Sequence, residues 1–132
     1  MLTQKDYCDY DTCVALKELG YIGQGRHYYD RDKDPNKLRH FGVQVLTTRS
    51  AEALNFVLAV HLYEAQKWLR EEKKIHITIF VFKDIYYWEI SMVGSYASCK
   101  ESLTDYSSYE EALLEGIKEA IKLLKECENT ED

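Results

Sequence analysis

The sequence predicts an α+β fold: a single domain with an antiparallel sheet centred on a hairpin at residues 75–93, and helices packed mainly on one face. Two β-rich runs, IHITIFVF (75–82) and IYYWEISMV (85–93), are separated only by Lys83 and Asp84. Two segments with helical periodicity, 62–73 and 108–124, flank that hairpin. At 132 residues the chain fits one domain, 1–132, with a frayed tail from about 127, and is long enough to bury a core without disulfides.

Asp9 caps a first helix, with Asp11 in its first turn and Cys13, Ala15, Leu16 and Leu19 pointing inward. Gly20 stops it in the left-handed conformation, and Tyr21 folds back on the last turn. A short strand is expected around His27 to Asp30, then a turn centred on Asp34-Pro35-Asn36. The alternation of Phe41, Val43 and Val45 suggests a returning strand over 41–46. Residues 50–60 are apolar at nearly every position, so periodicity leaves helix and extended chain both open.

From Leu62 to Lys73 a helix places Leu62, Ala65, Gln66 and Leu69 on one stripe, with Trp68 beside it. With Lys83-Asp84 as the turn, Val81 faces Tyr86, Ile79 faces Trp88, Ile77 faces Ile90 and Ile75 faces Met92. Side chains alternate along a strand, so all eight fall on one face. Gly94 ends the hairpin, and SYASCKESL adds a candidate third strand. The last helix opens with Ser108 and Glu111, a capping-box pair, and presents Leu113, Ile117, Ala120, Ile121 and Leu124. Ala112, Gly116 and Ala120 place small residues one turn apart, as close approach to the sheet or another helix requires.

The net charge is −6, and residues 101–132 hold ten acidic against three basic residues, so acidity is concentrated on the last helix. Cys8, Cys13, Cys99 and Cys127 form no CxxC pair, which argues against zinc and suits a reducing cytosol. No metal or cofactor is expected. The polar, acidic start MLTQKDYCDYD does not read as a signal peptide, and no apolar run approaches the ~20 residues that span a bilayer. The expectation is a cytoplasmic protein with no membrane partner.

CDYDTCVALKELGY (8–21), LYEAQKWLRE (62–71) and YEEALLEGIKEAIKLL (109–124) together carry a likeness over about a third of the chain. They resemble segments of small uncharacterised proteins of gut-bacterial prophages and other mobile elements. Such proteins precede the central helix with Ala-Pro-Thr, whereas Ala59-Val60-His61 stands here, without the proline stop. The resemblance implies a helix starting near His61 and transfers no catalytic residue.

Catalytic signatures are absent. His27, His40, His61 and His76 lie on different predicted elements, and a pairing such as Cys99 with His76 has nothing specific behind it. The carboxylates Glu110, Glu111, Glu115 and Glu119 read as a solvated helix face. GYIGQGRH follows a helix, where a phosphate loop would follow a strand. The hairpin's other face is more informative, because its register gathers Phe80, Phe82, Ile85 and Tyr87 at the turn end. Either residues 20–50 fold over that patch or another molecule does.

The leading expectation is therefore a non-catalytic protein-binding accessory factor of a phage or mobile element, binding a host or phage protein through Phe80, Phe82, Ile85 and Tyr87. A homodimer through the same face is a second use of it. One alternative is a single-stranded nucleic-acid binder stacking bases on Phe80 and Tyr87; the stretch 26–39 offers it five basic residues against three acidic, which disfavours it. The other is an enzyme of unrecognised type.

Overall fold

The computed structural model describes residues 3–92 and 100–129, with backbone only from 127 onward. The described residues form an α+β arrangement of four helices and three antiparallel sheets. The chain divides into two compact units, residues 1–61 and 62–132, with no linker composition at the division.

In the first unit a 3-10 turn, Gln4–Asp6, precedes α1, Tyr10–Glu18. The Asp9 carboxylate accepts from the Thr12 N–H at 3.0 Å, as expected of the cap. Past the helix, Gly20 takes φ +106°, its N–H donates to the Lys17 carbonyl, and the Tyr21 N–H donates to the Leu16 carbonyl. That is the double bond of a Schellman ending. Cys13 and Leu16 are buried, whereas Ala15 and Leu19 are only half-buried.

β1 (Gln24–Gly25) pairs with β4 (Leu46–Thr47), and β2 (His27–Asp30) lies between β3 (Arg39–His40) and β5 (Phe56–Leu58). The turn at Asp34 is closed by the Lys37 N–H bonding the Asp34 carbonyl, and the Asp34 carboxylate accepts from the Asn36 N–H. The strand expected over 41–46 does not form. Val43 and Val45 are 87% and 50% exposed, and pairing is confined to the dipeptides on either side. Tyr28 takes Phe41 edge-on and stacks on Phe56, so these aromatics find partners within the first unit.

Residues 50–60 are both helix and strand. Thr47 caps α2, Thr48–Ala53, and Asn55 then turns the chain at φ +63° into β5. Asn tolerates this left-handed conformation better than most residues. The Asn55 amide also donates to the Asp32 carboxylate at 2.8 Å.

In the second unit α3, Leu62–Glu72, buries Leu62, Ala65 and Leu69. β6 (Ile75–Phe82) and β7 (Ile85–Met92) pair in the expected register, Ile75 with Met92 through Phe82 with Ile85. The third strand is β8, Lys100–Glu101, antiparallel to β7; Gly94 to Cys99 lie outside the described residues. α4 runs Tyr109–Asn129, beyond the expected fraying point. Its Ser108 hydroxyl accepts from the Glu111 N–H, but the returning Glu111 carboxylate bonds Ser107 rather than Ser108.

Both α3 and α4 pack on the sheet, and the inner row Ile75, Ile77, Trp88 and Ile90 is buried. Val81 lies on that face in the expected register, but it is 61% exposed, because the row's burial stops short of the hairpin tip. Gly116 sits where helix and sheet approach closely. A Cβ there would lie 2.8 Å from Ile77 Cγ2 and 3.2 Å from Trp88 Cβ.

Gly116→Ala is therefore expected to destabilise by ~1–3 kcal/mol through overpacking, against a helix-propensity gain of ~1 kcal/mol. A raised thermal midpoint would contradict the close packing. Trp88→Ala is expected to cost ~3–5 kcal/mol, while Thr78→Glu on the exposed face changes the midpoint little; urea unfolding of both variants measures the contrast.

Candidate functional site

The patch expected at the turn end of the hairpin is present on the outer face of β6 and β7. Phe80 and Tyr87, paired across the strands, stack with ring centroids 5.3 Å apart and planes at 18°. Phe80, Phe82 and Ile85 are exposed and Tyr87 is half-buried. The Lys83 ammonium lies over the Phe82 ring at 5.6 Å. Further from the turn the face becomes polar, with Thr78 opposite Glu89 and His76 opposite Ser91.

Beside the patch, β6 forms the edge of its sheet, whose strand order is β6-β7-β8. Tyr86 exchanges backbone hydrogen bonds with Tyr106, and the Trp88 carbonyl accepts from the Ser102 N–H. These β7 residues thus spend their peptide groups on the side away from β6. In an antiparallel ladder, their opposites Val81 and Ile79 then turn their own peptide groups to the open edge. Ile77 obeys the same rule, and its outward carbonyl accepts from the Gln66 amide at 2.8 Å.

A second feature, in the first unit, escapes the linear sequence. Three of the four histidines join Tyr7 in one row. The β2–β3 register sets His27 opposite His40, with ring centroids 4.9 Å apart. Tyr7 lies 5.1 Å from His27 and 5.4 Å from His61, which it also meets through a backbone bridge. Tyr7 Oη and His27 Nδ1 share a hydrogen bond at 3.2 Å, and His40 Nδ1 accepts from the Gly42 N–H at 3.1 Å. The signal that could have revealed the row was the register across residues 31–38, which sequence alone did not set.

The row has limited scope for metal chemistry. A neutral imidazole accepting at Nδ1 carries its proton on Nε2, so His40 is held in a tautomer that blocks Nε2 as a ligand. Among the described residues no group of three or more His, Cys, Asp or Glu side chains could hold a metal ion. Burial first, and the neighbouring His40 imidazole second, hold His27 below the ordinary histidine pKa.

The cysteines divide likewise. Cys8 and Cys13 are free and buried, flanking the Asp9 cap at the two positions whose side chains commonly pack together there. The contact with the Cys13 thiol, and then burial, raise the Cys8 pKa well above the ordinary thiol value, the reverse of an activated nucleophile. Burial also pushes the Tyr29 phenol up, and its hydroxyl donates to the Cys8 carbonyl at 2.6 Å. Cys99 lies outside the described residues, as does the Cys127 side chain. Glu115 pairs with Lys118, Glu119 with Lys100, and Glu111 bonds Ser107. Gly25 of the glycine-rich segment lies in β1, paired with Leu46.

Comparison with protein-family models, with curated proteins and with solved structures finds no match. No helix among the described residues is long and apolar enough to cross a membrane.

The lowered His27 pKa makes a signed prediction. The unfolded chain, with His27 near 6.5, binds the proton more readily than the native state. This contribution to stability is present above that pH and is lost as pH falls through it toward the lower native value. The thermal midpoint of His27→Gln should accordingly fall less between pH 7.5 and 5.5 than that of the wild type. Equal slopes would show that His27 is not held neutral.

Proposed function

We propose that this chain is a small, non-catalytic protein-binding module whose contact surface is the outer face of β6 and β7. The observation that carries this reading is the exposure of Phe80, Phe82 and Ile85 on one two-stranded face, with Tyr87 stacked on Phe80. Large apolar side chains gathered on one exposed face favour removal from water by a partner. Aromatic rings contribute most per residue to such contacts, since they bury large areas while immobilising few torsions. The partner that fits is another protein's apolar or aromatic surface. The setting of a phage or mobile-element accessory factor rests on the resemblance of the three segments and adds nothing to the chemistry. A cytoplasmic location is part of the same reading.

The stacked Phe80–Tyr87 pair is also the kind of platform on which bases of a single strand stack. Charge speaks against that use. Between residues 75 and 92 the only basic residue besides His76 is Lys83, with Asp84 beside it and Glu89 on the face itself. A backbone-tracking groove would need several cations.

Affinity capture with the wild type and with Phe82→Asp and Tyr87→Asp tests the proposal. A protein retained by the wild type and lost from both variants is the expected result. Retention by all three, or a salt-sensitive gel shift of single-stranded DNA abolished by Tyr87→Asp, would overturn it.

A further inference from the structure

The free edge of β6 has a specific shape. Ile77 has its outward carbonyl occupied by Gln66, and the strand ends at Phe82, before the turn. Among the described residues Ile75, Ile77, Ile79 and Val81 turn their peptide groups to this edge, and Ile79 with Val81 is the pair nearest the turn, two residues apart and beyond the occupied Ile77 carbonyl. Within the strand the usual protections of an edge are missing: residues 77–82 contain no proline and no charge, and all are paired with β7 without a bulge. Val81 and Phe82, 61% and 65% exposed, flank the opening on opposite faces.

We propose that the occupant of this edge is a second copy of the same chain, its β6 antiparallel to the first about a two-fold axis at Phe80. The proposal rests on the reading of the hairpin as a contact surface and names one of its partners. Only this register sets Ile79 opposite Val81 of the copy and Val81 opposite Ile79, so that each free N–H and C=O meets its complement. A register centred on Ile79 would direct Val81 to Ile77, whose carbonyl is taken; one centred on Val81 would direct Ile79 to Lys83 in the turn. The self-complementary arrangement is also what a two-fold interface requires.

The same axis places Phe80 across from its counterpart, in a pair without direct backbone hydrogen bonds, where side chains approach most closely. The Phe80–Tyr87 stack of each copy then continues into the other, giving the aromatic row Tyr87, Phe80, Phe80, Tyr87 across four central strands. Pairing thus joins two three-stranded sheets into one of six and doubles the aromatic face left for a partner.

Sedimentation equilibrium from micromolar to submillimolar concentration tests the proposal, with Val81→Lys and Tyr87→Asp beside the wild type. The expected wild-type mass is twice 15.5 kDa, returning to 15.5 kDa in Val81→Lys. Val81 lies on the opposite face from the aromatic patch, so this variant separates edge pairing from partner capture. Oxidation of Phe80→Cys should link two copies at position 80, located by peptide mapping. A single mass of 15.5 kDa throughout, or a dimer that survives Val81→Lys and dissociates in Tyr87→Asp, would overturn edge pairing while leaving the protein-binding reading to its own test.

Discussion

Joining two eight-residue strands through only Lys83 and Asp84 leaves the hairpin almost no choice of register, and most of the second unit depends on that choice. Lys83 meets the turn's demand by taking φ +57°, a left-handed conformation that a lysine adopts at some cost. In return, Trp88 is set opposite Ile79, and the row from Ile75 to Trp88 becomes a surface on which α4 can lie. Gly116 then brings the helix within a missing methyl group of Ile77 and Trp88. A slip of one residue would put the apolar rows of the two strands on opposite faces and bring Thr78 inward opposite Ile90, or Glu89 inward opposite Ile79.

The same arithmetic that makes the core makes the exposed site. Phe80, Phe82, Ile85 and Tyr87 occupy the opposite face because their neighbours occupy the inner one. The hydrogen bonds that tie β7 to β8 and to Tyr106 likewise decide which peptide groups of β6 are left facing outward. Core, aromatic face and free edge are three consequences of one pairing. In the first unit, local caps take this organising role. Asp9 starts α1, Cys8 and Cys13 pack across that start, and the Cys8 carbonyl receives the Tyr29 hydroxyl from β2.

The hairpin was legible because two period-2 patterns on either side of a two-residue turn constrain each other. α1 and α4 were legible through their ends: Asp9, Gly20 and Ser108 act by local hydrogen bonds that need no tertiary information. Residues 41–46 misled, because the alternation of Phe41, Val43 and Val45 resembles a strand while only the flanking dipeptides find pairing partners. Residues 50–60 hid a helix and a strand inside one apolar run, divided at Asn55 by a backbone conformation that composition does not announce. The aromatic patch could be read from the hairpin register. The histidine row could not, since the eight residues between β2 and β3 permit several pairings and only one sets His27 beside His40.

Cross-strand Hα–Hα nuclear Overhauser contacts in the second unit test the register most directly. In antiparallel pairs without direct backbone hydrogen bonds the α-protons lie closest. The account predicts strong contacts for Val81–Tyr86, Ile79–Trp88 and Ile77–Ile90. Contacts from Trp88 to Thr78 or Phe80 in place of Ile79 would mean a slipped register, and would contradict the core, the aromatic face and the edge together.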